Sequence, residues 1–100
     1  MTTLLPTTTA KEYAYHTDNG HGWICVPRQE LIALGIERDI SDWSYQFGND
    51  IYLEHDSDIA IFEDAMLEKF NQRLKIITVE SGNNCFVRKF ERYNWATLVK

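Results

Sequence analysis

The chain has little of what specialised scaffolds need. Two cysteines in 100 residues are too few for a disulfide framework. Residues Met1 to Ala10 have neither the basic start nor the apolar stretch of a secretory signal, so Cys25 and Cys85 are expected to be reduced thiols. Two prolines and five glycines exclude collagen-like and Pro/Gly-rich low-complexity chains. No apolar run approaches the roughly 18 residues that cross a bilayer, so no membrane span is expected. Positive charge is also scarce. Ten Lys and Arg stand against 15 Asp and Glu, a formal net charge of −5. That balance argues against a generic DNA or RNA binder, because phosphate contacts need a concentrated cationic excess.

What is present suits one small folded domain. Apolar residues make up 44% of the chain, and five Phe, five Tyr and three Trp supply large side chains to bury. The Thr-rich segment 1–10 is expected to be flexible, with a single domain over 11–100. Charge is segregated along the chain: residues 27–64 carry a formal −8, and residues 65–100 carry +4. Two such halves can fold against one another or present a polar field to a partner.

Local signals give an element order. Asp18-Asn19-Gly20 lies between two short extended runs and predicts a hairpin. Pro27 opens a helix of about two turns, which carries Leu31 and Leu34 on one side and stops at Gly35. Trp43 to Phe47 alternates apolar with polar, Gly48-Asn49-Asp50 is turn chemistry, and Ile51 to Glu54 returns as a partner strand. Asp56, Ser57 and Asp58 are all capable helix caps. They precede Ile59, Phe62, Met66 and Phe70, which share one helical face. Leu74 to Glu80 and Cys85 to Tyr93 flank Ser81-Gly82-Asn83-Asn84 and read as a last hairpin. The expectation is an α+β fold of ββ-α-ββ-α-ββ order, a small antiparallel sheet with two helices packed on one face.

One stretch resembles a known pattern. His21-Gly22-Trp23, Val26-Pro27, Leu31, Leu34-Gly35-Ile36, Ile40-Ser41, Ser44-Tyr45-Gln46, Tyr52-Leu53-Glu54, Asp56-Ser57-Asp58 and Phe62 resemble a small domain of uncharacterised phage and plasmid accessory proteins. The match spans about residues 21–66 and departs at His55, where the pattern prefers an acid. The resemblance implies a mobile-element protein working in a bacterial cytoplasm, and it implies no reaction; together with small size, acidity and the lack of a catalytic constellation it leads to the expectation of an inhibitor of anti-CRISPR or anti-restriction type.

Candidate sites follow from residue chemistry. Asp56 and Asp58, beside His55 and Glu54, offer oxygen ligands for a divalent cation, but the same residues suit a helix N-terminus. His16, His21 and Cys25 match no structural zinc spacing. No catalytic residues, cofactor or metal are expected, and the protein is read as non-enzymatic. An acidic surface of Glu37, Asp39, Asp42, Asp50, Glu54, Asp56 and Asp58 is the expected contact with a host protein or nucleoprotein defence complex. The alternative is a nucleic-acid platform of Phe86, Arg88, Phe90 and Arg92, which alternate on one face if that segment is a strand. Either a monomer or a homodimer is compatible with the sequence.

Overall fold

A computed structural model describes residues 11–96; the segment 1–10 and the last four residues lie outside them. The strands are β1 (Lys11–Thr17), β2 (Gly22–Pro27), β3 (Tyr45–Phe47), β4 (Asp50–Glu54), β5 (Leu74–Glu80) and β6 (Glu91–Arg92). The helices are α1 (Arg28–Leu34) and α2 (Asp58–Phe70), and Phe86–Lys89 forms a 3₁₀ turn. The class is α+β. The six strands form one sheet in the order β5-β1-β2-β4-β3-β6.

The sheet is mixed, which corrects the antiparallel expectation. β1 pairs antiparallel with β2, β2 with β4, β4 with β3 and β3 with β6, but β5 runs parallel to β1 over its whole length. The expected last hairpin does not form, because β5 and β6 end at opposite edges of the sheet. The turn after β5 docks sideways instead of folding back. Ser81 donates its N–H to the Thr17 carbonyl at 2.8 Å, and Asn19 donates its N–H to the Gly82 carbonyl at 3.0 Å. These bonds hold the loop against the β1–β2 hairpin.

Period-2 side-chain alternation sorts residues onto two faces. On one face Tyr13, Ile24, Val26, Ile51 and Leu53 pack against Leu31 and Leu34 of α1 and Phe62 and Met66 of α2. Both helices therefore contribute to one core. Gly35 takes φ 72° and ends α1, as a left-handed C-cap requires. Phe70 does not join this core. It lies in the last turn of α2, before the Asn71 cap, and is exposed. On the opposite face Trp23, Tyr52, Cys85 and Val87 form a second, smaller cluster, with Cys25, Tyr45 and Phe90 against it.

Two local expectations are revised. The β1–β2 hairpin is closed by the Asp18 carboxylate, which accepts the Gly20 and His21 N–H groups at 3.0 and 3.1 Å, and neither Asn19 nor Gly20 takes a positive φ. At the start of α2 the N-cap is Ser57, which makes no side-chain capping bond. Asp58 is the first helical residue, and its carboxylate is turned inward.

Candidate functional site

The sheet face away from the helices is only partly covered. The covering segment is 85–90, whose Cys85 and Val87 are buried while Phe86 is exposed. An aromatic ladder crosses this face: Phe47 stacks on Phe90 at 4.6 Å, Phe90 meets Phe86 at 5.5 Å, and Phe86 meets His16 at 5.0 Å. A second row runs beside it. Trp43 and Tyr45 both lie against the Arg92 guanidinium, at 5.9 and 5.7 Å, and Tyr45 meets Trp23 at 6.0 Å. Arg92 is held there by a 2.9 Å hydrogen bond to the Asp42 carbonyl. Trp43 and Phe47 are 61% and 63% exposed, so packing among the described residues covers less than half of each.

The seven acids of the expected contact surface do not converge. Asp58 and Glu54 are buried, 1% and 4% exposed, and both serve the fold. The Asp58 carboxylate accepts the Ser41 N–H, the Ser41 hydroxyl at 2.7 Å and the Ser44 hydroxyl at 2.5 Å. Ser44 in turn accepts the Glu54 N–H at 2.8 Å, so one network joins the loop before β3, the end of β4 and the start of α2. Asp58 is thus removed from both the partner surface and the divalent-cation reading. Glu37 lies beside Tyr93 on the helix-side core, its carbonyl accepting the Tyr93 hydroxyl. Asp39 is exposed in the same connection. Asp50 is opposite Phe47 in the β3–β4 register, Asp42 adjoins Trp43, and Asp56 lines a depression with Trp43. Asp42, Asp50 and Asp56 therefore border the aromatic rows.

The basic aromatic segment is not one strand face, which corrects the alternation expected of Phe86, Arg88, Phe90 and Arg92. Phe86–Lys89 is a 3₁₀ turn, and only Arg92 of the four lies in a strand. Arg88 is engaged by Asp18, whose carboxylate accepts the Arg88 Nε–H at 2.5 Å, an Nη2–H at 2.8 Å and the Cys85 N–H at 3.0 Å. The guanidinium and these N–H groups hold the Asp18 carboxyl far below the usual carboxylate range. Arg88 also sits 5.2 Å from the Trp23 ring. Sequence reasoning missed this pair, since only the hairpin signal marked Asp18.

Two sets of reactive side chains lie on or beside the sheet. Cys25 and Cys85 are unpaired thiols. Burial, reinforced by Asp50, pushes the Cys25 thiol up, the opposite of what an activated thiolate needs. Burial also lowers His16, whose Nδ1 is enclosed without a partner. At the end of β4, one donor atom from each of Glu54, His55 and Asp56 lies within 4.8 Å of the others. Glu54 Oε1 accepts the Asp56 N–H at 2.9 Å and the Ser57 hydroxyl at 3.3 Å, while Oε2 lies 4.0 Å from His21 Nε2.

Among the described residues no helix is long and apolar enough to cross a membrane. No protein-family model, curated protein or solved structure matches the chain.

Proposed function

We propose that the chain is a non-enzymatic binding protein that docks on another protein through the open face of its sheet, acting as an inhibitor of the kind mobile elements direct at host defence complexes. The carrying observation is that Trp43, Phe47 and Phe86, from the two aromatic rows, are exposed on a face that the helices leave free. Trp, Tyr, Phe and Arg are the side chains enriched in interface cores; the aromatics bury large areas with few rotors, and the guanidinium adds planar, charged hydrogen bonding. Asp42, Asp50 and Asp56 border that row and give it an acidic rim, suited to a basic groove and to fast, salt-sensitive association. The raised Cys25 thiol and the buried, satisfied Asp58 support a binding role over a nucleophilic or hydrolytic one.

The test is binding to a stoichiometric host complex by wild type and by two surface variants, with fold checked by circular dichroism. Trp43→Ala/Phe47→Ala is expected to abolish binding, and Asp42→Lys/Asp50→Lys/Asp56→Lys to slow association. Undiminished binding by both variants would remove the reading. A second reading, single-stranded nucleic acid, is favoured by Arg92 against Trp43 and Tyr45 and by Arg38 over Trp95 at 4.2 Å. It requires affinity that falls steeply with salt, and no binding at low salt removes it.

A further inference from the structure

We propose that β5 is a dimerisation edge: two copies of the chain pair antiparallel along Leu74–Glu80, about a two-fold axis at Ile77, and join their sheets into one. The proposal is independent of the docking surface, because Trp43 and Phe47 lie toward the other edge of the sheet. The two edges are built differently. β6 is two residues long, Glu91 and Arg92, a short charged edge of the kind that discourages pairing. β5 has seven residues, none of them proline or glycine, and only Leu74 is even partly buried. It is paired on one side, with β1, so alternate N–H and C=O groups face outward, and no described strand lies beyond them. Ile76, opposite Tyr13 on the helix side, is 38% exposed, and Ile77 and Val79 on the other face are 45% and 41% exposed. A long edge of exposed β-branched residues is a template for another strand.

Charge complementarity identifies the occupant as a second copy. Arg73 and Glu80 stand at the two ends of β5, both exposed, and among the described residues neither side chain has an ion-pair or hydrogen-bond partner. Arg73 lines a depression with Leu74 and with Glu63 and Asp64 of α2, yet pairs with neither acid. Extended backbone at about 3.3 Å per residue keeps Arg73 and Glu80 of one chain roughly 20 Å apart. An antiparallel two-fold reverses the strand and brings each Arg73 to the partner's Glu80, twice per dimer. Symmetry also fixes the register. Opposed residues must share a face, so the axis passes through a residue and not between two. Centring on Ile77 pairs the whole strand: Ile77 with the partner's Ile77, Ile76 with the partner's Thr78, Lys75 with the partner's Val79, and Leu74 with the partner's Glu80. Moving the centre by one residue leaves part of β5 unpaired. Leu74 belongs to the helix-side core, and alternation puts Glu80 on the same face, so the partner's Glu80 arrives beside Arg73. Lys75, the one cation within β5, lies 3.5 Å from the Glu12 carboxylate on β1, and no like charges oppose one another across the pairing.

The test is sedimentation equilibrium of the whole chain from about 10 µM to about 1 mM, a range that reveals even weak association. The wild-type chain is expected to dimerise reversibly within it. Ile77→Lys sets two lysines opposite each other at the axis and is expected to weaken the dimer about tenfold or more. Arg73→Glu and Glu80→Arg each oppose like charges and are each expected to weaken it about threefold or more, while the double swap Arg73→Glu/Glu80→Arg restores it. All three positions are exposed, and circular dichroism confirms that each variant is folded. Trp43→Ala/Phe47→Ala is expected to leave the dimer unchanged. The proposal is overturned by a chain that stays monomeric to about 1 mM, by a dimer that Ile77→Lys leaves intact, or by a charge swap that fails to restore association. A dimer lost with Trp43→Ala/Phe47→Ala would place the interface on the aromatic rows and equally overturn it.

Discussion

Replacing Asp58 with alanine is expected to be among the most damaging single changes in the chain, although this aspartate begins a helix and looks like a surface cap. Its carboxylate is 1% exposed and takes three donors: the Ser41 N–H, shared between both oxygens at 3.1 Å, the Ser41 hydroxyl at 2.7 Å and the Ser44 hydroxyl at 2.5 Å. Hydrogen bonds to a charged group contribute about 1.5–3 kcal/mol each, and stranding a buried donor costs about 1–3 kcal/mol. The serine hydroxyls can rotate toward other acceptors, but the Ser41 N–H cannot. A loss of about 3–5 kcal/mol follows, out of about 5–15 kcal/mol for a whole domain. At about 4–8 °C per kcal/mol for a domain of this size, Tm should fall by at least about 12 °C. Ser44→Ala removes one donor and the acceptor for the Glu54 N–H and should cost less, about 1–3 kcal/mol. Ser41→Ala keeps the backbone N–H bond and should cost least. Because Asp58 and Ser44 share one network, their double variant should lose less than the sum of the singles. Thermal and urea melts followed by circular dichroism measure all four. An Asp58→Ala variant that melts with wild type, or strict additivity with Ser44→Ala, would refute the network as a source of stability.

The pH profile should fall in two stages on acidification. His16 is lowered by burial, so the folded state disfavours its proton; its contribution is complete above about pH 6.5, the unfolded value, and is lost as pH falls through the lower folded value. His16→Phe should remove that first stage in urea melts between pH 7 and 5, and an unchanged slope would contradict it. Asp18 is held low by Arg88, so its contribution is complete above about pH 4 and declines below it. Asp18→Asn should flatten this second stage and raise hydrogen exchange in segment 80–88, and unaltered exchange would show that the pair does not pin the segment. Gly22→Ala would drive a Cβ into the Tyr15 hydroxyl oxygen and two carbons of its ring. Overpacking of this kind costs about 1–3 kcal/mol, and Tyr15→Ala in the same background should relieve part of it. A neutral Gly22→Ala would show that Tyr15 moves freely.

Short-range signals proved readable and long-range ones did not. Helix α1 spans the residues between Pro27 and Gly35, and the β3–β4 hairpin turns at Gly48-Asn49, because proline, glycine and alternating burial act within a few residues. The parallel seating of β5 on β1 depends on partners more than sixty residues apart, such as Asn19 with Gly82 and Asp18 with Arg88, which no local pattern announces. Extended propensity in Phe86–Lys89 was overridden: Val87 is buried, Arg88 is pinned, and the backbone takes a 3₁₀ turn. The acids show the same limit. Charge counts located the acidic segment but not which carboxylates face inward. Glu54 and Asp58 turn to serve Ser57, Ser41 and Ser44, and the one available sign was the pair of serines three residues apart. Several residues quoted for the phage-domain resemblance, Gly22, Gly35, Ser41, Ser44, Glu54 and Asp58, occupy close-packed, capping or hydrogen-bonded positions. In this chain those residues serve the fold, and the exposed Trp43 and Phe47 are not among them.

Docking through the open sheet face is most directly tested by quantitative capture from a bacterial lysate, with wild-type chain and folded Trp43→Ala/Phe47→Ala chain compared side by side. Wild type is expected to hold one complex stoichiometrically, the double variant to lose it, and restoring both aromatics to recover it. Equal capture by the two chains would contradict it.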